Sequence, residues 1–334
     1  MRIKFQFGLK WLLLATTLIA IMVGIGKQYY DRRVTLERRA RELVELEELG
    51  VLFDHRDGVV VGLHFPHYVT KPRHFQMATE FGEIEKFSAA TGGSFSDSDA
   101  AKLLAHPKLK ELRIPGHPGV TDRSLKTIGK LNSLEQLELT MTGISDQGLA
   151  DLARLPKLLL LQLTGTAVTS QGMKNLRSLQ SLQMLSIDHT TIDDGALEAI
   201  ADLRGLGFIS LGNTQVRGHG LAALAKLPKL QGLDLSGCSL EDGSGLAELK
   251  QLSSLTIFDS RIPPGLLSHL QAMDNLRDVN LHGSAVDEEQ LVELGNASQL
   301  KILILGKTRA SEAAMRELRA KLPNARIEGE PRDL

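Results

Sequence analysis

Leucines recur along this chain with a fixed spacing of 24 residues. Five of them open the same short motif: Leu134, Leu158, Leu182, Leu206 and Leu230. In the first copy, Leu137 and Leu139 follow the opening leucine, with a polar residue between them. Alternation with a period of two predicts a short strand that buries one of its faces. A constant period of this length indicates a repeat architecture in which each unit contributes one strand.

The second half of each unit predicts a turn and a helix. Ser145 or Asp146 provides a capping side chain, apolar residues then recur every three positions, and Pro156 ends the helix because proline cannot continue it. A small hydroxyl or thiol residue lies between strand and helix, where it can hydrogen-bond the backbone. This column contains Thr142, Thr166, Thr190, Thr214, Cys238, Ser284 and Thr308.

One unit alone cannot bury its apolar face, so the units are expected to stack. The strands are expected to open at Leu109, Leu134, Leu158, Leu182, Leu206, Leu230, Leu252, Leu276 and Leu300. A degenerate unit is expected before them, at residues 84–97. An extra residue in the segment 241–246 and the sequence Pro263-Pro264-Gly265 predict a local kink.

The motif of residues 134–149, L-x-x-L-x-L-x-x-T-x-I-x-D-x-G-L, resembles the leucine-rich repeat family and specifically its cysteine-containing subtype. The resemblance covers about residues 84–327, and most units carry Thr or Ser where the family often has Cys or Asn. It implies an α/β fold, a right-handed leucine-rich-repeat solenoid (horseshoe) with a concave parallel sheet. It also implies protein recognition on the concave side and no chemistry.

The N-terminal segment predicts a membrane anchor. Residues 11–26 contain no charged side chain, and Lys10 and Lys27 bracket them, with Trp11 at a position that suits an interfacial aromatic. The run of 16 residues is shorter than the roughly 20 that a transmembrane helix needs, but apolar residues before Lys10 lengthen it. A cleaved signal peptide and a buried core helix are the alternatives. We predict a retained single-pass transmembrane helix of the signal-anchor type.

The side of the membrane on which the repeats lie is contested. Basic residues are more numerous after the apolar run, which favours a cytoplasmic repeat domain, whereas an N-terminal anchor of this kind usually exports the domain attached to it. We favour the exported side. Residues 28–50 predict a charged helix that acts either as a solvated stalk or as a short coiled coil that makes a homo-oligomer. Anchor, stalk and cap together resemble a group of bacterial membrane-tethered leucine-rich-repeat proteins.

Composition adds three limits. A formal net charge of −1 argues against nucleic acid as a partner. The single cysteine, Cys238, excludes an internal disulfide, and its place in the hydroxyl column indicates a buried structural side chain. The expected organisation is an anchor at 1–27, a charged juxtamembrane helix at 28–50, an N-terminal cap with a degenerate repeat at 51–108, leucine-rich repeats at 109–327 and a polar tail at 328–334.

Motifs for catalysis or cofactor binding are not found in the sequence, which has no Walker, kinase, HExxH or paired CxxC motif. His64, His67 and His74 have a spacing that could hold a metal, but histidines in a polar, loop-rich segment are more often solvated, so no metal is expected. An aspartate recurs at one repeat position. We interpret it as a helix cap rather than as a metal ligand. These residues are Asp146, Asp194 and Asp242.

Strand residues that point away from the leucines form two columns. The first contains Glu111, Gln136, Leu160, Met184, Phe208, Gly232, Ser254, Asp278 and Ile302, and the second contains Arg113, Glu138, Gln162, Ser186, Ser210, Asp234, Thr256, Asn280 and Ile304. Most are polar, as a solvated face should be. Leu160, Met184 and Phe208 are exceptions on three adjacent units, and an exposed apolar patch with a polar rim often marks a partner site. Alternatively, a cap, the stalk or a neighbouring subunit covers them.

The sequence therefore predicts a non-catalytic, membrane-anchored protein-interaction module without a cofactor. Its macromolecular partner, a protein of unknown identity, is expected to bind the concave face. The binding residues are expected to be Leu160, Met184, Phe208, Gln162, Ser186 and Ser210. The alternative is a self-associating structural or scaffold protein of the cell envelope.

Overall fold

The computed structural model describes residues 9–57, 59–67, 72–78, 84–284, 286–306 and 311–329. The first eight residues of the expected anchor, Thr308 of the hydroxyl column and residues 330–334 of the expected tail lie outside these ranges. The chain divides into two units, Met1–Val51 and Leu52–Leu334. Each unit is described by itself.

The first unit contains one continuous helix, α1 (Leu9–Glu48), of 40 residues. Ion pairs four residues apart support its charged half: Arg33 Nε lies 3.0 Å from Glu37 Oε1, and Arg38 Nε lies 3.5 Å from Glu42 Oε1. The helical residues end at Glu48, and Gly50 terminates the helix as expected, because this residue takes the left-handed conformation with φ 73°. Backbone N–H groups of Gly50 and Val51 donate to the carbonyls of Glu47 and Leu46, at 2.9 and 3.0 Å.

The prediction of a single-pass membrane protein with its repeats on the exported side is wrong. Across the residues that the structure describes, no helix is both long enough and apolar enough to cross a membrane. Helix α1 is long, but its uncharged stretch covers only the 16 residues 11–26. At 1.5 Å per residue this stretch measures about 24 Å, less than the roughly 30 Å of a hydrocarbon core.

The second unit is built on one sheet, whose thirteen strands within the described residues lie in chain order from β1 to β13. Strands β1 and β2 pair antiparallel as a hairpin, and every later neighbour pair is parallel. The strands are β1 (Leu52–Arg56), β2 (Val59–Phe65), β3 (Lys86–Ala89), β4 (Glu111–Arg113), β5 (Gln136–Glu138), β6 (Leu160–Gln162), β7 (Met184–Ser186), β8 (Phe208–Ser210), β9 (Gly232–Asp234), β10 (Ser254–Thr256), β11 (Asp278–Asn280), β12 (Ile302–Ile304) and β13 (Arg326–Glu328). The expected α/β solenoid with a parallel sheet is confirmed.

Helices follow the strands and are of two kinds. The α-helices are α2 (Pro72–Ala78), α3 (Asp97–Lys102), α4 (Asp122–Ile128), α5 (Asp146–Leu152), α6 (Ser170–Met173), α7 (Leu197–Ile200), α8 (Glu288–Leu294) and α9 (Glu312–Lys321). The 3₁₀ helices are Leu103–Ala105, Lys174–Leu176, Asp194–Ala196, Leu221–Lys226, Ser244–Glu248 and Leu267–Ala272.

Side-chain caps are present at some of these helices and absent at others. Thr121, Ser145 and Thr169 cap α4, α5 and α6, and each side-chain oxygen accepts a backbone N–H from two residues ahead. The three helices between residues 221 and 272 have no side-chain cap, and Gly220 and Gly243 precede two of them. These helices are 3₁₀, a form common in short segments. The irregularity expected at 241–265 falls within this stretch.

Leucines form the core at the predicted positions, and the central residues of β4 to β12 are no more than 1% exposed. The hydroxyl column is confirmed where the structure describes it. Thr142 Oγ1 donates to the carbonyl of Leu139 at 2.6 Å, and Thr166, Thr190 and Thr214 repeat this bond three residues back. Ser260, which the sequence pattern did not include, also lies in the column and donates to the carbonyl of Phe258 at 2.9 Å.

The recurring aspartates join neighbouring units rather than capping their own helices. Asp146 accepts the backbone N–H and the hydroxyl of Thr169 in the next unit, at 2.7 and 2.6 Å. Asp194 accepts backbone N–H groups from Arg217 and Gly218, both at 3.0 Å. Asp242 is the exception, because it bonds Ser244 in its own turn. Asp146 therefore fixes the cap residue of α6, and Asp194 holds the backbone that precedes the next 3₁₀ helix.

Candidate interaction face

Each short strand directs its central residue into the core and its flanking residues to the opposite side. We call that opposite side the outer face of the sheet. Strand register aligns the predicted apolar residues on it: Leu160 pairs with Met184, Met184 with Phe208, and Phe208 with Gly232. The three side chains therefore lie on adjacent strands, about 4.8 Å apart. We call them the apolar stripe.

Exposure differs among the six predicted site residues. Met184 is the most open, with 41% of its surface exposed, whereas Leu160 and Phe208 are half-buried. Gln162 and Ser186 in the neighbouring column are also half-buried. Ser210 is only 7% exposed, so it does not offer the accessible polar contact that the sequence predicted.

Phe208 and Gly232 create a depression beside the stripe. A Cβ atom on Gly232 would lie 2.6 Å from Cδ2 of Phe208, so the ring occupies the space that any other side chain would need. The depression measures about 370 Å³, and its walls include Met184, Phe208 and Ser254. The absence of a side chain at Gly232 therefore lets the ring of Phe208 lie over β9, beside the depression.

A third column continues the outer face two residues beyond the second column. Asp188 lies in it and joins three units. Its carboxylate accepts hydrogen bonds from the Ser210 hydroxyl, from the backbone N–H of Gly212 at 2.7 Å and from Thr164 Oγ1 at 3.2 Å. The first of these bonds explains why Ser210 is buried. All three donors are neutral, so the charge of Asp188 is not balanced by them.

The part of the outer face on β3 to β5 carries charged residues of both signs, and we call it the charged part. Arg113 Nε lies 2.9 Å from Glu111 Oε1, and Arg113 Nη2 donates to Gln136 Oε1 at 3.3 Å. Lys86 Nζ lies 3.3 Å from Asp54 Oδ2 on the hairpin. Burial raises the pKa of Glu138, an effect that Arg113 opposes and Glu111 adds to.

Strands β6 to β12 carry a second part, which we call the central part. Its three columns contain no lysine or arginine, but they contain Asp188, Asp234 and Asp278. Phe258, 38% exposed, stacks on His282 with ring centroids 5.5 Å apart and planes 10° apart. Asp234 accepts hydrogen bonds from the backbone N–H of Ser236, at 2.8 Å, and from its hydroxyl.

Residues considered for metal or nucleophile chemistry are engaged elsewhere. His64 lies 2.8 Å from Ser88 Oγ and 3.2 Å from Asp54 Oδ2, and His67 lies 3.0 Å from the Thr91 carbonyl. No group of three or more metal-ligating side chains is found within the described ranges. Cys238 is buried as expected, and burial raises the pKa of its thiol.

Sequence reasoning missed Asp188, the Phe258–His282 stack and the role of Gly232. Period-two alternation, extended by two residues past each strand, would have assigned the third column. The contact of Phe208 with Gly232 had a weaker signal in the sequence. That signal is a large residue and a glycine at equivalent positions of adjacent units. The sequence also showed which parts of the outward columns contain both basic and acidic residues and which contain aspartates without lysine or arginine.

Comparisons with known proteins agree with the fold. Residues 96–326 match the sequence model of the leucine-rich repeat region. An internalin (inlF) from Listeria monocytogenes has a similar structure, with a TM-score of 0.60 and 21% identity over 82% of each chain. An internalin C2 (inlC2) of the same species has a TM-score of 0.50 and 25% identity over 70% of this chain and 91% of its own.

A third structure, a TLR13–ssRNA13 complex, has a TM-score of 0.56 and 17% identity over 80% of this chain and 43% of its own. No curated protein sequence is significantly similar. Because the sequence model covers residues 96–326 of 334, well over half of the length, this chain belongs to the leucine-rich repeat family.

Proposed function

We propose that the chain is a non-catalytic binding protein that recognises another protein through the outer face of its sheet. The apolar stripe would form the centre of the contact, with Gln162 and Ser186 at its rim. The observation that carries this proposal is the alignment of three bulky apolar side chains on adjacent strands, opposite a core that other residues already fill. Leucine-rich repeat domains are typically protein-interaction modules.

Several physical arguments favour this face. Apolar area on an otherwise polar surface often marks a partner site, and a few central residues usually supply most of the affinity. Met184 and Phe208 also line the depression, so a partner side chain can contact both of them there. Ser210 contributes indirectly, by holding Asp188, and not as a contact.

A protein partner is favoured over RNA by the charge of the central part. The TLR13 structure is a complex with ssRNA13, but at 17% identity that similarity concerns the fold alone. RNA phosphates would meet Asp188, Asp234 and Asp278 with no lysine or arginine in the three columns to pair with them.

Photo-crosslinking in cells of the source organism tests the proposal. The full chain carries a photoreactive phenylalanine analogue at Met184, and a control carries it at Lys174, on a helix of the neighbouring unit. We expect a crosslinked protein from position 184 and not from position 174, identified by mass spectrometry. Crosslinks only from 174 would overturn the proposal, and crosslinks only to a second copy would favour the self-associating scaffold.

A triple variant then tests the named residues. Leu160→Ser, Met184→Ser and Phe208→Ser together should reduce affinity for the crosslinked protein by about 100-fold or more. The matched control, Leu104→Ser, Met141→Ser and Val292→Ser, removes three exposed apolar side chains outside the stripe (43%, 62% and 47% exposed). Equal losses in both variants would mean that the stripe is not the binding centre.

A further inference from the structure

We infer that the partner presents a basic segment to the central part of the outer face, with an arginine or lysine close to an apolar side chain. This inference rests on the proposed function and specifies the chemistry of its partner. Three observations on the same surface carry it: an imbalance of charge, an aromatic ring beside the carboxylates, and the apolar depression.

Charge imbalance is confined to one part of the sheet. In the charged part, Lys86 and Arg113 have carboxylate partners at 3.3 and 2.9 Å. In the central part, seven strands with three outward positions each carry three aspartates and no lysine or arginine. The nearest basic residues in sequence, Arg277 and Lys301, precede their strands, and Arg277 donates to the carbonyls of Asp274 and Leu276.

None of the three carboxylates has a cationic partner within the part of the chain that the structure describes. Asp188 and Asp234 accept their described hydrogen bonds from backbone N–H groups and hydroxyls. Among the ion pairs within the described residues, none involves Asp188, Asp234 or Asp278. Neutral donors orient such groups but leave their negative charge available to a basic partner.

Phe258 adds a feature that suits arginine. It lies one strand from Asp234 in the sheet, is 38% exposed, and is kept in place by its stack on His282. A planar guanidinium can lie over an aromatic ring and still donate to a nearby carboxylate. Lysine can form the ion pair, but its ammonium group is not planar and cannot stack on the aromatic ring as a guanidinium does.

Geometry sets the spacing within the partner. Gly232, at the floor of the depression, and Asp234 are two residues apart on β9, about 6.6 Å. Gly232 and Asp278 lie in one column, with β10 between their strands, about 9.6 Å apart. A partner segment in extended conformation would therefore place its apolar side chain about two to three residues from its basic one.

Peptide selection tests the inference. A phage-displayed library of random dodecapeptides is selected against the full chain and, in parallel, against the Met184→Ser/Phe208→Ser variant. Peptides specific to the wild type are synthesised, and their Kd is measured by fluorescence anisotropy. We expect these peptides to be basic, with an apolar residue near the arginine or lysine.

Charge removal at the face should then weaken these peptides. The double variant Asp234→Asn/Asp278→Asn is expected to raise Kd about tenfold or more. The control Glu248→Gln/Asp274→Asn removes the same charge from exposed positions outside the face and should change Kd less than about twofold. Melting temperatures of both variants verify that they are folded.

The other possible results would overturn either the basic partner alone or the proposed function as well. One such result is that the selected peptides need Met184 and Phe208 but are neutral or acidic. Another is that they are basic but bind the Asp234→Asn/Asp278→Asn variant as tightly as the wild type. Both would overturn the basic partner but leave the face as the binding site. Identical peptides from both selections would overturn the proposed function as well. Light scattering measures whether the wild type self-associates. If it does, and if Asp234→Asn/Asp278→Asn abolishes the association, a second copy occupies the face and the inference of a separate partner is overturned.

Discussion

Adjacent residues of one strand differ sharply between the inner and outer faces of the sheet. Leu185 is completely buried, whereas its neighbour Met184 is 41% exposed. The inner position holds a leucine or another apolar residue in every repeat strand, but the outer positions range from glycine to phenylalanine and from arginine to aspartate. Because successive side chains of a strand point to opposite sides, the two sets of residues vary independently. Inner residues specify the stack, and outer residues are free to specify a partner.

The largest effect should come from truncating the inner face. Leu185→Ala should lower the free energy of unfolding by about 2–5 kcal/mol, because it leaves a cavity in a core that cannot fully collapse. Met184→Ala, one residue away on the outer face, should change it by less than about 0.5 kcal/mol. Urea denaturation measures both. Similar losses for the two variants would contradict the assigned strand register.

Polar contacts between units should rank below the inner face and above the outer one. Asp146→Ala removes two hydrogen bonds to Thr169 and leaves the cap of α6 without its partner. We expect a loss of about 1–3 kcal/mol in urea denaturation, because bonds to a charged acceptor are stronger than neutral ones. The neighbouring exposed residue provides the control, and Gln147→Ala should be nearly neutral. If Asp146→Ala changes the free energy of unfolding as little as Gln147→Ala does, the aspartates do not stabilise the stack.

A third comparison concerns the turn that follows the outer face. Met141 has φ 54°, a left-handed conformation that glycine adopts at the equivalent positions Gly116, Gly165 and Gly237. Met141→Gly should therefore be more stable than Met141→Ala by about 1 kcal/mol, since alanine retains the strained Cβ. Thermal unfolding of the two variants gives the difference. If alanine is as stable as glycine, the backbone at this position carries no strain.

The smallest effect is expected at Glu138, on the charged part of the outer face. Burial raises the pKa of this carboxyl in the folded state, so its ionised form is disfavoured there. Its contribution to stability is complete below the unfolded pKa of about 4.3 and is lost as pH rises through the higher folded pKa. Glu138→Gln should accordingly raise Tm at pH 7 by on the order of 1 °C. No rise is expected at pH 3.5, and Glu248→Gln is the exposed control. A gain at pH 3.5 equal to that at pH 7 would assign the effect to packing.

Much of the outer face could be predicted from the sequence. The columns that contain Leu160, Met184 and Phe208 follow from the fixed period and from strand alternation, and the strand pairing agrees with them. Burial along those columns could not be predicted, because it depends on how side chains of different strands pack. Ser210 is buried by Asp188 of the preceding unit, and the ring of Phe208 lies over Gly232 of the following one.

At the N-terminus, residue composition predicted a membrane anchor, but no helix of the described residues is long and apolar enough to cross a membrane. The uncharged run in α1 resembles a membrane anchor in residue type but is too short for one, and in the structure it belongs to a 40-residue helix whose second half is charged. The length of the run was visible in the sequence. The charged helix at residues 28–50 was predicted as well, and only its continuity with the uncharged run came from the structure, since charged and apolar residues can both extend a helix once it has formed.

By itself, the sequence determined the repeat, the inner leucines, the hydroxyl column and the order of the outward residues, since all of these depend on spacing along the chain. Only the tertiary structure decided that aspartates bond the next unit rather than their own helix, that Asp188 joins three units, and that Phe208 and Gly232 leave an open depression. Residues about 24 positions apart make these contacts. Their rotamers and hydrogen bonds depend on which side chains face each other across neighbouring strands, and stacking of the units alone brings those groups together.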